Sequence, residues 1–226
     1  HIPLQQLTGE QGFMGLTFSV NEHVLIPRQD TEILVEEVLK ELHDGMRVLD
    51  MCTGSGCILL SLLHYSNDCE GLGVDLSAEA LEVAGRNVLK VLTPEKAEHA
   101  HFLQSDLFEK VEGKFEIIVS NPPYIASAEV EKLMPEVRDH EPRMALDGTE
   151  DGLYFYRRII EEAGKHLVSS GMLFFEIGYD QGQAVSELMR TEGYCEVQVV
   201  QDYAGLDRVV FGTYVTVQPA PFAKSR

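Results

Sequence analysis

The sequence predicts an α/β fold built on a mostly parallel sheet with helices on both faces. Three observations carry that prediction. Short apolar runs of strand length alternate with longer stretches of 3.6-residue periodicity through most of the 226 residues, the order that covers both faces of a parallel sheet with helices. A glycine-rich break, Asp50-Met51-Cys52-Thr53-Gly54-Ser55-Gly56, separates one buried strand from the helix after it. Asp50, Asp75, Asp106 and Asn121 each fall at the carboxyl end of an expected strand, where sheets of this kind hold their ligands.

Taken in order, residues 1–28 carry turn signals at Gly9, Gly12 and Gly15 and then alternate like strands over 16–20 and 24–26, until Pro27 stops the run. Asp30 is the expected N-cap of a helix with Leu34, Val35, Val38, Leu39 and Leu42 on one face, ending near Asp44-Gly45. Residues 46–50 predict a buried strand, and 57–65 a helix so apolar all round that it should be buried. A second strand spans 71–75, and Ser77 caps a helix running through Leu81, Ala84, Val88 and Leu92 to Pro94. Strands follow at 100–104 and 115–120, the latter ended by Pro122 and Pro123, which have no N–H to give a ladder. Residues 125–148 form a loop-rich insert whose length marks it as functional or mobile. A helix over 153–167, a strand over 172–177, a helix over 181–191 and a closing antiparallel pair at 196–201 and 208–214 complete the pattern. The expected organisation is a hairpin or linker region over 1–28, a catalytic domain over 29–215 and a loose tail over 216–226, with no internal repeat.

Composition narrows the function. Net charge is −19, with 18 Lys and Arg against 37 Asp and Glu. Sequence-independent nucleic-acid binding needs clustered cations, and no basic run is present, so a protein or small-molecule substrate is favoured over direct nucleic-acid contact. No apolar run approaches the roughly 20 residues of a membrane-spanning helix, and neither a membrane association nor a secretory leader is expected. Cys52, Cys57, Cys69 and Cys195 show no C-x-x-C pairing and no clustered histidines, which predicts no metal site and a reducing cytoplasmic home. The chain opens at His1, so its amino end is expected to have been cut or built differently.

The glycine turn lets a ligand approach the backbone and aims helix N–H groups outward, suiting a carboxylate or phosphate. The dinucleotide pattern G-x-G-x-x-G fails because Leu59 occupies the third glycine position, which removes support for a pyrophosphate. Asp75, nineteen residues after Gly56, is placed to accept both hydroxyls of a ribose; read alone it is equally a turn residue beside Ser77. Asp106 suits an exocyclic adenine amine, with Leu107 against the ring, though alone it reads as a loop acid. Carboxylate, ribose and adenine without pyrophosphate describe S-adenosylmethionine. Asn121-Pro122-Pro123-Tyr124 then offers two acceptors, the Asn121 side-chain oxygen and the Pro122 carbonyl, for the two hydrogens of a planar NH2, with Tyr124 against its flat face. The bland reading of the tetrapeptide is a Pro-Pro turn with Tyr124 lying over core. Together the positions read as an amino-group methyltransferase, with Asn121, Pro122 and Tyr124 as the catalytic set. Arg28 and Glu176 are expected to be structural, linked as an ion pair near the pocket.

The chain also resembles the protein-(glutamine-N5) methyltransferases of the HemK/PrmC type, which modify peptide chain release factors. The resemblance covers about residues 3–215. It runs through Gly15-Leu16-Thr17-Phe18, Leu25-Ile26-Pro27-Arg28-Gln29-Asp30-Thr31-Glu32, Leu49-Asp50 to Gly56, Ser120 to Ile125, Glu141-Pro142, Asp151-Gly152-Leu153, Phe175-Glu176-Ile177-Gly178 and Asp207-Arg208-Val209-Val210. Gln29 replaces a usual proline and Cys52 a frequent glycine. The resemblance implies a class I S-adenosylmethionine-dependent methyltransferase fold, a seven-stranded sheet preceded by a β-hairpin, acting on the glutamine of a Gly-Gly-Gln loop. It implies cofactor contacts at Cys52, Thr53, Gly54, Ser55, Gly56, Asp75, Leu107 and Asn121, and glutamine contacts at Asn121, Pro122, Pro123 and Tyr124. The family's small helical domain ahead of the hairpin is expected to be absent from this chain, as a fragment or a loss. Two other readings stay open from the residues: an adenine-N6 or guanine-N2 methyltransferase using the same cradle for a flipped base, and a catalytically silent module that binds the cofactor and docks a partner.

Overall fold

A computed structural model describes residues 2–215; the tail expected over 216–226 lies outside the described residues. The chain opens with a short helix α1 (Leu4–Thr8) and a hairpin of β1 (Glu10–Phe13) and β2 (Leu16–Ser19). Met14 and Gly15 turn that hairpin with both φ values positive, 50° and 70°, the backbone that a tight two-residue connection requires. There follow α2 (Thr31–Glu41), β3 (Arg47–Met51), α3 (Cys57–Tyr65), β4 (Glu70–Asp75), α4 (Ala78–Val91), a single turn α5 (Pro94–Ala97), β5 (Ala100–Gln104) and β6 (Phe115–Ser120). Three more single turns, α6 (Ser127–Val130), α7 (Pro135–Arg138) and α8 (Arg143–Leu146), lead to α9 (Tyr154–Ala163), β7 (Leu167–Glu176), α10 (Gly182–Thr191), β8 (Tyr194–Gln201) and β9 (Asp207–Tyr214).

The seven strands from β3 onward form one sheet in the order β5-β4-β3-β6-β7-β9-β8. Pairing is parallel from β5 to β7, and β9 is antiparallel to both of its neighbours. Neighbouring residues on each central strand serve opposite cores, as the two-residue period of a strand demands. Val48, Val119 and Phe174 face the cluster under α2 and α3, whereas Leu49, Ile118 and Phe175 face the cluster under α9 and α10. The hairpin joins the first of these clusters through Phe13 and Phe18. Strand order reverses at β3, which has β4 on one side and β6 on the other. The carboxyl ends of those three strands, with β5, form the crevice where this class of sheet takes ligands.

Several local expectations are corrected. Residues 24–26 are not a strand; Val20 and Val24 instead pack on Ala80 and Val83 of α4. Asp30 does not cap α2, because its backbone is already helical and its carboxylate reaches toward Arg208 at 3.6 Å. The insert contains three single turns of helix, and β7 begins at Leu167, within the end expected for the preceding helix. Ser77 caps α4 as expected, its hydroxyl accepting the Ala80 N–H at 3.0 Å.

Candidate active site

Outside the carboxyl ends of β3, β4 and β6 lies a cavity of about 220 Å³. The β3–α3 turn forms its floor with Cys52, Thr53, Gly54 and Ser55. Cys52 and Gly54 both take positive φ, 63° and 54°, and a side chain added at Gly54 would meet nothing within 4 Å. The turn is held from beneath. Asp50 is fully buried, and its Oδ2 accepts the Thr53 hydroxyl at 2.6 Å and the Leu59 N–H at 3.3 Å. Burial pushes the Asp50 carboxyl up to about 7, against the pull of those two donors. Gly56 (φ 78°) packs against Ala84 and Leu60. Asp50 and Gly56 therefore shape the turn and do not border the cavity.

Asp75, at the tip of β4, borders the cavity and ties two loops together. Its Oδ2 accepts the Gly54 N–H and its Oδ1 the Ser77 N–H, each at 2.9 Å. Burial raises its carboxyl above the usual range while those N–H donors pull it down. Ser105, Asp106 and Leu107 line the next side. Leu107 adopts a φ of 46° and is buried, presenting an apolar wall. Asp106 is not a free loop acid, for its Oδ1 takes the Arg158 guanidinium at 2.9 Å.

At the tip of β6, Asn121 and Pro123 reach the cavity, while Pro122 is buried behind them. The Asn121 amide donates to Thr31 Oγ1 at 3.4 Å, so its Oδ1 is left to accept from the cavity. Tyr124 packs on the α9–α10 side of the sheet and donates its hydroxyl to Glu176 Oε1 at 3.3 Å. Burial drives the Tyr124 phenol well above its ordinary range, so it stays a donor. The chain past the tetrapeptide allows no side chain. A Cβ at Gly148 would sit 2.8 Å from Tyr124 Cα, and one at Gly152 (φ 72°) would collide with the Tyr124 carbonyl oxygen.

The chain matches known methyltransferases in sequence and in fold. Residues 28–137 match the family model "Methyltransferase small domain". A release factor glutamine methyltransferase of Thermodesulfovibrio yellowstonii is 44% identical over 213 residues, covering 92% of this chain and 75% of the relative. One from Moorella thermoacetica is 47% identical over 210 residues, covering 91% and 73%. This chain belongs to the release factor glutamine methyltransferase family. A crystal structure of a release-factor-specific protein-(glutamine-N5) methyltransferase from Alicyclobacillus acidocaldarius matches at 30% identity and a TM-score of 0.50, over 88% of this chain and all of that one. A methyltransferase of Pyrococcus furiosus, at 18% identity and a TM-score of 0.63, shares the fold over 90% of this chain.

Within this family member, the expected Arg28–Glu176 ion pair is absent. Arg28 pairs instead with Glu141, whose buried carboxylate also accepts the Ile26 N–H at 3.2 Å. That link ties the approach to α2 to the insert, which supplies Pro142, Met144, Ala145 and Asp147 to the cavity wall. Thr31, Arg158 and Phe155 also went unassigned in the sequence. Thr31 sits in the Leu25–Glu32 segment that carries the family resemblance, which is its signal; Arg158 and Phe155 are ordinary helix residues until the fold places them beside Asp106 and in the cavity wall.

Proposed function

We propose that this chain transfers the methyl group of S-adenosylmethionine to the side-chain amide nitrogen (N5) of the glutamine in the Gly-Gly-Gln loop of a peptide chain release factor. The observation that carries this reading is the Asn121 carboxamide, which lines the cavity and whose NH2 is engaged by Thr31, leaving its oxygen free to accept. The cavity's chemistry fits the cofactor. The open glycine turn would hold a main-chain-like carboxylate, Asp75 the ribose hydroxyls, and the apolar Leu107 wall a flat base. When bound, the cofactor would supply a methyl group on a positively charged sulfur and leave as neutral S-adenosylhomocysteine, while the substrate nitrogen gives up one of its two protons to water.

The protein's own part is positioning and electrostatics. Asn121 Oδ1 and the Pro122 carbonyl each accept one hydrogen of the substrate NH2, which aligns the nitrogen with the methyl carbon. An amide nitrogen is a weak nucleophile because its lone pair is delocalised. Acceptors on both hydrogens favour the positive charge that builds on it as the bond forms, at no cost in reorganisation. Tyr124, expected against the substrate's flat face, instead packs on the α9–α10 core and braces the tetrapeptide from behind through Glu176. No metal enters this account, and the partner is a protein at work in the cytoplasm, with no direct nucleic-acid or membrane contact. No helix among the described residues is long and apolar enough to cross a membrane, and the net charge of −19 opposes a phosphate backbone.

Mass spectrometry of a release factor after incubation with the cofactor tests the proposal. One added methyl on the Gly-Gly-Gln glutamine is expected. Transfer only to duplex DNA or RNA would replace it with the base-modifying reading, and cofactor binding without any transfer would replace it with the silent module.

A further inference from the structure

Glu176 closes β7 beneath the Asn121–Tyr124 tetrapeptide and is 2% exposed. Its Oε1 accepts the Tyr124 hydroxyl at 3.3 Å, and its Oε2 is buried with no hydrogen-bond partner among the described residues. The equally buried Thr31 hydroxyl lies beside this carboxylate and favours its charge, as does the Arg208 cation; Asp30 opposes it, and burial opposes it most. On its other side Thr31 Oγ1 accepts from the Asn121 amide. The carboxylate thus stands behind both halves of the substrate cradle without touching the cavity.

We propose that Glu176 is a positioning residue that dictates, through the Thr31 hydroxyl, which end of the Asn121 carboxamide faces the substrate, and through the Tyr124 hydroxyl anchors the other half of the cradle. This rests on the proposed function and adds to it a residue that sets the polarity of the cradle. Burial raises the Glu176 carboxyl, so the relay operates at a pH above that raised value, where the carboxylate is ionised and only accepts. Thr31 must therefore turn its hydrogen toward Glu176 and its lone pairs toward Asn121. Asn121 must then offer Thr31 its NH2, which leaves Oδ1 as an acceptor in the cavity. Substrate glutamine, whose NH2 donates twice, is the matching ligand; a glutamate in the same loop presents only acceptors and is rejected.

Exchanging the carboxylate for a carboxamide reverses the relay. In Glu176→Gln the oxygen keeps Tyr124 while the new NH2 donates to Thr31. The Thr31 hydroxyl then turns its hydrogen toward Asn121, which flips and presents NH2 to the cavity. The substrate amide now meets a donor where it needs an acceptor, whereas a carboxylate finds a partner there.

The test uses the whole chain with a release factor and with Gly-Gly-Gln and Gly-Gly-Glu loop peptides as competitors. Glu176→Gln is expected to lower kcat about 10- to 100-fold while cofactor Kd stays within about 2-fold. The ratio of the two peptides' inhibition constants should swing toward the glutamate peptide by about 10-fold or more. Glu176→Asp, which remains a pure acceptor, should keep the parent's preference for glutamine even where it is less stable. On a Thr31→Val background, Glu176→Gln should no longer move the ratio, since the relay is already cut. Should Glu176→Gln fail to fold, the peptide preferences of Glu176→Asp and Thr31→Val decide instead: Thr31→Val must weaken discrimination and Glu176→Asp must retain it. Equal weakening of both peptides in Glu176→Gln, or an unchanged kcat, would overturn the positioning role. A parent protein that leaves the release factor unmethylated would overturn the proposed function, whatever the peptides show.

Discussion

Asn121 and Asp75 divide the labour of the site between substrate and cofactor, and the division is measurable. Asn121→Ala removes one of two acceptors that act on charge developing in the transition state, so the methylation rate should fall by about 100- to 1000-fold. Cofactor affinity should change much less, and calorimetry beside steady-state rates separates the two; equal losses would contradict the substrate-holding role. Asp75→Ala should do the opposite, weakening cofactor binding about 10- to 100-fold, since a charged acceptor of two backbone N–H groups is lost along with its ligand contacts. Its effect on the rate at saturating cofactor should be small. The positions of these two residues were legible from sequence because each stands at a strand's carboxyl end, and strand ends follow from apolar runs broken by glycine or proline. Their partners were not legible. Thr31 meets Asn121 across 90 residues and Arg158 meets Asp106 across 52, and no period or spacing marks a side-chain contact of that reach. The expected Arg28–Glu176 pair fails for the same reason, since the partner that folding delivers to Arg28 is Glu141.

The insert between β6 and α9 shows how an element without regular structure can still be rigidly placed. Its ends are joined where Ile125 and Asp147 bridge, where the Gly148 N–H reaches the Ile125 carbonyl at 2.8 Å, and where Asp147 accepts the Ser127 hydroxyl at 2.6 Å and the Thr149 N–H at 3.0 Å. The sequence marked the segment as functional by its length alone. Its four-residue helices were invisible because one turn has no periodicity, and such turns persist only through the tertiary contacts around them. The loop that returns from the insert runs against the catalytic tetrapeptide so closely that glycine is required. Gly152→Ala should therefore displace the Tyr124 carbonyl and with it the Pro122–Pro123 backbone, as well as forcing a φ of 72° on a residue with a Cβ. The expected result is a loss of about 1–3 kcal/mol of stability and a fall in kcat larger than any rise in cofactor Kd, read by thermal melting and by rates with saturating cofactor. A variant as active and as stable as the parent would show that this contact does not set the cradle.

At the scale of the whole molecule the sheet was the most legible feature, because strand and helix periods alternate cleanly and both β5 and β6 lie where apolar runs placed them. The order of the strands was not written in any local pattern; β3 is central only because β4 and β6 pack on its two sides. The same architecture gathers buried carboxylates at the carboxyl ends of its inner strands, and this has a consequence for stability. Asp50 is held at about 7 by burial, and Asp75 and Glu176 are raised in the same direction for the same reason. Above their unfolded value of about 4, the unfolded chain has released protons that the folded chain still holds. Stability then falls as pH rises, from about 4 to about 7 for Asp50, and is flat above for that group. Acids with depressed values, such as the half-buried Asp147 beside Ser127 and the exposed Asp151 beside Arg157, act with the opposite sign, but their contribution is complete above the unfolded value and is lost only as pH falls below it. The two windows do not overlap. The mutual repulsion behind the net charge of −19 grows with pH and adds to the first effect. Thermal melts should therefore show a midpoint that declines between pH 5 and pH 7.5, windows set by about those values. Asp50→Asn carries a pH-independent penalty, because its new NH2 takes the place of a buried oxygen with no partner among the described residues. The informative quantity is thus the slope, which should be shallower in Asp50→Asn than in the parent. A midpoint that rises over this range, or a slope unchanged by the substitution, would mean that Asp50 is already ionised beneath the glycine turn in the folded protein.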